Sequence, residues 1–203
     1  MKLKQLLKSP IFIPKEMGDE DKMTPFFITD ERLTERYKLL ATKDEVEVYL
    51  NKDRSSACVG LRSKRHDGRS GIKIYGDLQF KDHLCLRYQI DQFGKAKILQ
   101  VNLVSVVDES KFMGLGSFLY SSIVKAGNVI ISDNKQFIGG KELWKKIGRS
   151  HLSNEVVYLI DKGNVMIDDK GKPIEYDGEN VPDNKIWSED KQKEFVLFLY
   201  KNK

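Results

Sequence analysis

Apolar positions recur with a period of two through the first half of the chain and with a helical period after Val107. Val46, Val48 and Leu50 alternate with polar residues, Ser56 to Leu61 is an apolar run, and Ile72 to Leu78, Leu84 to Ile90 and Lys97 to Val107 follow. Asp67-Gly68, Lys81-Asp82 and Phe93-Gly94 are turn signals between them, so the pattern predicts an antiparallel meander. Ahead of it, the first forty residues read as an irregular arm through Ile11, Pro14 and Pro25. A short helix is predicted over Asp30 to Leu40, with Asp30 as its cap and Leu33, Tyr37 and Leu40 on one face.

Beyond Val107 the spacing of Leu115, Phe118, Leu119, Ile123 and Ala126 predicts a helix, with Gly127 suited to the residue just past its end. Val129 to Ser132 reads as a short buried strand. Gly140 to Ile147 reads as a second helix, burying Leu143, Trp144 and Ile147 and turning Lys141, Lys145 and Lys146 to water. Glu155 to Ile160 is another strand, and Phe195 to Tyr200 a closing one. The Asp-, Gly-, Asn- and Pro-rich stretch from 161 to 190 predicts loops and a weak hairpin, with Ile186-Trp187-Ser188 anchoring it. The element order predicts one α+β domain over 1–203 with a mixed, mostly antiparallel central sheet flanked by helices. Residues 1–40 form its N-terminal arm and 161–203 a C-terminal extension.

Composition narrows the class. Of 203 residues, 40% are hydrophobic and 32% charged, as in an ordinary globular domain. No apolar run approaches the roughly 20 residues of a membrane span, and Met1 to Lys8 intersperses leucines with lysines, unlike a secretory signal. A cytoplasmic protein without membrane partners is expected. Cys58 and Cys85 lie far apart in strand-like segments, which predicts free buried thiols, and His66, His83 and His151 have no metal-ligand spacing.

The net charge of +5 resides in the middle of the chain, where residues 54–150 hold 17 Lys and Arg against 8 Asp and Glu. There Arg54, Arg62, Lys64, Arg65, Arg69 and Lys73 meet a single acid, Asp67. A basic hairpin of this kind suits nucleic-acid phosphates or another anionic ligand; the alternative is a solvated hairpin tip.

Candidate chemistry concentrates in 97–148. A strand runs through a loop with Gly114-Leu115-Gly116-Ser117 into a helix, and glycines there let a phosphate approach the free amides of the first helical turn. The same glycines equally serve a tight turn without a ligand. Gly-Lys-Ser/Thr is missing, which excludes a P-loop. Leu119 at the third small position and the insertion Asp108 to Lys111 exclude a dinucleotide fingerprint, although Asp133 lies about where its ribose-binding acid would be.

Lys111-Phe112-Met113-Gly114-Leu115-Gly116, between a strand and a helix, resembles the cofactor motif of the GCN5-related N-acetyltransferases, Arg/Gln-x-x-Gly-x-Gly/Ala. Val129 to Ser132 followed by Leu143-Trp144-Lys145-Lys146-Ile147-Gly148 is similar to that family's next strand and helix. The run from Ile130 to Trp144 resembles the divergent branch encoded by phages and their bacterial hosts. The resemblance implies an acyl-CoA-dependent N-acyltransferase, with acetyl-CoA or another acyl-CoA as cofactor and an unidentified amine as acceptor. Val104, Ser105 and Val106 would meet the pantetheine arm with their backbone. Lys111 and the amides of Met113, Gly114, Leu115, Gly116 and Ser117 would hold the pyrophosphate, with Asn134 and Trp144 at the far end of the arm.

Trp144 stands where many members of that family carry an acidic tyrosine, and an indole only donates a hydrogen bond. Tyr120, Tyr158 and Ser132 are the candidates for the missing acid. Asp133, with Asp108 second, is the candidate to accept the amine's proton. Two other readings stay open: a phage-type protein that binds nucleic acid or modifies its bases through the basic hairpin, and an inactive interaction or inhibitor protein of the same fold.

Overall fold

The computed structural model describes residues 11–12, 24–81, 97–107, 114–133, 138–150, 155–161, 164–181, 186–188 and 196–201. In chain order the elements are β1 (Ile11–Phe12), β2 (Phe26–Thr29), α1 (Asp30–Arg36), β3 (Tyr37–Lys43), β4 (Val46–Asn51), β5 (Ser56–Lys64) and β6 (Ser70–Phe80). They continue as β7 (Lys97–Val106), α2 (Leu115–Lys125), β8 (Asn128–Ile131), α3 (Ile138–Arg149), β9 (Glu155–Asp161), β10 (Asn164–Val165), β11 (Trp187–Ser188) and β12 (Val196–Lys201). The fold is α+β and its strand pairing is mostly antiparallel. The chain divides into two compact units, one of 18–82 with 101–126 and one of 1–17, 83–100 and 127–203.

The first unit is the meander. Strands β3, β4, β5, β6 and the second half of β7 pair antiparallel in that order, and β2 pairs with residues 71–74 of β6. Ile28, Tyr49, Cys58, Ile72 and Ile74 of the strands and Leu33 of α1 form a buried cluster. α2 packs against β3 to β6, and its Leu119, Tyr120, Ile123 and Val124 are buried. The expected helical end holds: Ala126 caps α2, and Gly127 follows at φ 84°, a conformation free of strain only for glycine.

The expected helix over Asp30 to Leu40 is corrected. α1 stops at Arg36, and Tyr37 is already extended (φ −119°, ψ 156°) as the first residue of β3, paired with Asn51. The i, i+4, i+7 spacing of Leu33, Tyr37 and Leu40 is helical, but β4 offers a hydrogen-bond ladder that the local pattern cannot reveal. Nor is Asp30 the cap: Thr29 accepts from the Arg32 amide, and Asp30 is the first helical residue.

The second unit holds two parallel pairs, β1 with β11 and the first half of β7 with β8. Lys97–Gln100 of β7 lies parallel to Asn128–Ile131 of β8, and β12 is antiparallel to both β8 and β9. Val129, Ile131, Tyr158 and Ile160 form its buried cluster. α3 packs against β9, with Trp144 fully buried. The 164–181 stretch is ordered by local hydrogen bonds: Asp168 Oδ1 accepts from the amides of Lys170 and Lys172, and Asp177 Oδ1 from those of Glu179 and Asn180. Those bonds hold both carboxyls below the usual carboxylate range. Ile186 is buried, and Trp187 pairs in register with Ile11, which ties the tail to β1. No helix among the described residues is long and apolar enough to cross a membrane.

Candidate functional site

The strand and helix proposed to hold a cofactor share the meander unit. Val104, Ser105 and Val106 pair with β6 at Leu78, Asp77 and Gly76, and all three are half-buried. Gly114 caps α2 at φ 95°, in the left-handed region where a side chain would be strained, and as a glycine it supplies no side-chain cap to the first turn. Leu115 and Gly116 are buried there. The Ser117 hydroxyl oxygen is buried and makes no hydrogen bond among the described residues. An unpaired hydroxyl at a helix mouth whose amides lack a side-chain cap is a set of donors suited to a small anion or phosphate. Asp108, Lys111, Met113 and Asn134 lie outside the described residues.

Of the remaining acyl-transfer candidates, only Tyr120 lies in the meander unit. Tyr120 is enclosed in α2, and burial pushes its phenol well above the ordinary value. Ser132, fully buried, and Asp133, half-buried, follow β8 in the other unit. In that unit Tyr158 belongs to the apolar cluster with Ile131, two strands away across β12. Trp144 is wholly inside.

The basic hairpin is the turn between β5 and β6, with Gly68 at φ 83°. Its guanidinium groups largely meet groups of the protein itself. Arg62 Nε lies 2.8 Å from Glu47 Oε2, and Arg62 Nη2 donates to the Tyr49 hydroxyl at 2.8 Å. Tyr49 in turn donates to Glu47 at 2.8 Å, and Arg62 also reaches Asp30. This network and burial push the Tyr49 phenol up to about 12, desolvation being the main cause. Arg69 pairs with Asp67 at 2.6 Å, and Arg65 sits 3.8 Å from Asp67 and over the Phe27 ring. Lys73 lies over the Tyr75 ring. Arg54 occupies a left-handed position, φ 65°, in the turn between β4 and β5.

The meander unit also holds a cavity that the sequence did not announce. Its volume is about 670 Å³. Tyr37, Ser55, Ser56, Asp77, Gln79 and Asn102 supply polar groups, Phe26 and Phe80 apolar walls, and Lys81 lies at the end of β6. The register explains the gathering: Tyr49, Cys58, Asp77 and Ser105 stand abreast on β4 to β7, and Ser56, Gln79 and Leu103 form the next row. Cross-strand neighbours of this kind have Cβ atoms about 5 Å apart.

Burial raises the Asp77 carboxyl above its ordinary value, against hydrogen bonds from Gln79 and the Leu78 backbone. Gln79 Nε2 donates to Asp77 Oδ2 at 3.3 Å. Burial likewise raises the Tyr37 phenol, which is hydrogen-bonded to Ser56, and pushes the Cys58 thiol up to about 12. Asp77 has no ion pair among the described residues. The one sequence signal for this site was an acid inside an otherwise apolar strand, Gly76-Asp77-Leu78, which alternation alone reads as a solvent-facing position. Compared with protein-family models, curated proteins and solved structures, the chain matches none.

Proposed function

We propose that this protein is an acyl-coenzyme-A-dependent N-acyltransferase with a fold like that of the GCN5-related N-acetyltransferases. The observation that carries the reading is the helix mouth at Gly114 to Ser117. There a left-handed glycine, first-turn amides with no side-chain cap and a buried, unpaired Ser117 hydroxyl follow a strand whose next neighbour in sequence order, β8, pairs parallel to it.

These residues fit the cofactor. The backbone amides of Leu115, Gly116 and Ser117 and the Ser117 hydroxyl would hold its pyrophosphate, and the backbone of Val104 to Val106 its pantetheine arm. Bound acyl-CoA supplies an activated thioester. What the chain must add is a carboxylate that takes a proton from the acceptor amine, because only the neutral amine is a nucleophile. Asp77, half-buried and paired across strands with Ser105, is the described candidate within the meander unit, whereas Asp133 belongs to the other unit. Trp144 plays no acid role; its indole is a core anchor.

Isothermal titration with acetyl-CoA and with coenzyme A tests the reading, beside a Gly116→Glu variant that places a negative charge in the cradle and whose folding is checked by circular dichroism. Micromolar binding that the folded variant loses is the expected result. No binding at millimolar ligand overturns the proposal.

A further inference from the structure

The cavity of the meander unit has features of a ligand site beyond those proposed to hold the cofactor. It is within the size range of small-molecule pockets, about 300 to 1,000 Å³. Its polar groups come from four strands and the turn between β4 and β5, so the fold converges them where local structure alone would not. Phe26, 44% exposed, is a large apolar side chain left at the surface of an otherwise mostly polar hollow. Within it, Asp77 is a mostly buried carboxyl that accepts from the neutral amide of Gln79 and has no ion pair among the described residues, while Lys81 also lines the cavity. A carboxylate so placed loses hydration without an ion pair among the described residues, so a cation brought directly against Asp77 is favoured.

We propose that this cavity binds a small hydroxylated primary amine, its ammonium group against Asp77 and its hydroxyls among Ser55, Ser56, Gln79 and Asn102. An ammonium on Asp77 supplies an ion pair, and serine hydroxyls with side-chain amides can both donate to and accept from ligand hydroxyls. The aromatic walls accept the ligand's carbon skeleton. Asp77 is the cross-strand neighbour of Ser105, so a ligand here lies beside the strand proposed to carry the pantetheine arm. The inference rests on the acyltransferase reading only for the fate of the amine as acceptor; the binding site is argued from the cavity itself.

The test is isothermal titration of the full chain, without coenzyme A, with three amines and their neutral counterparts: glucosamine with glucose, ethanolamine with ethylene glycol, tyramine with 4-ethylphenol. At least one amine is expected to bind about tenfold or more tightly than its neutral partner, the preference of a charge-assisted pair over a neutral one. Asp77→Asn, which keeps the shape and can still accept from Gln79, is expected to erase that preference. Asn102→Ala, at an exposed position that tolerates truncation, is expected to weaken the amine and its neutral partner alike. Equal binding of amine and neutral partner, a preference that survives in Asp77→Asn, or no binding of any amine at millimolar concentration overturns the proposal. Because acetyl-CoA is titrated separately, loss of one result leaves the other standing.

Discussion

Arg62 decides whether the basic hairpin is a ligand surface or part of the framework. It is 46% exposed, but its partner Glu47 is only 12% exposed, so replacing Arg62 with Met strands a nearly enclosed carboxylate on the Tyr49 hydroxyl alone. Exposed ion pairs contribute about 0.2 to 1 kcal/mol, and breaking a fully buried one costs about 3 to 5. The mixed exposure here places Arg62→Met at roughly 1.5 to 2.5 kcal/mol of lost stability, methionine retaining most of the alkyl packing. Glu47→Gln costs less, about 1 kcal/mol, because Arg62 keeps Asp30 and water. The double mutant should show a coupling of about 1 kcal/mol.

Urea unfolding measures these values. Both tryptophans, Trp144 and Trp187, belong to the parallel-strand unit, so their fluorescence follows that unit while far-ultraviolet circular dichroism follows both. Hydrogen exchange over β4 and β5 locates the loss. A change under about 0.5 kcal/mol in Arg62→Met, with coupling near zero, refutes the reasoning. It would return Arg62 to the solvent and to the nucleic-acid reading, which expects salt-sensitive DNA or RNA binding to fall in the same variant.

Three further outcomes are expected. Asp77 has a raised carboxyl in the folded protein, so the unfolded chain gives up its proton first and stability is lost as pH rises from about 4 through the raised value. Asp77→Asn should therefore melt higher than the parent at neutral pH, with the gap closing below about pH 4; a gap independent of pH would contradict this. Cys58, buried with its thiol pushed up to about 12, should escape iodoacetamide in the folded chain and react in urea, as read by peptide mass spectrometry. Labelling at equal rates in both states would be the contrary result. Gly71→Ala sets a methyl into the Ile28 backbone carbonyl oxygen and against the Phe27 ring, so β2 must shift away from β6. A loss of about 2 kcal/mol or more is expected by thermal melting, and an unchanged midpoint would show that β2 gives way freely.

The elements that local pattern specifies were legible. Period-two runs found β4, β5, β6 and β7, the helical spacing of Leu115, Leu119 and Ile123 found α2, and Gly127 marked its end. β3 was not legible, because Asp44 and Glu45 turn into β4 with φ of 48° and 67°, conformations usually signalled by Asn or Gly. Glycines at a helix mouth were visible at 114 and 116, but the unpaired Ser117 hydroxyl depends on what surrounds it. The cavity was invisible for the same reason. Asp77, Ser56 and Tyr37 are far apart in sequence, and only the register of β3 to β7, with β2 along the edge of β6, brings them to one hollow. β12 likewise enters between β8 and β9 by non-local pairing. The sequence by itself determined the placement of α2 and of β4 to β7, since side-chain periodicity acts over a few residues. Tertiary structure decided which strands are neighbours, and so which polar groups are buried together, because hydrogen-bond ladders and desolvation act between residues that the chain keeps far apart.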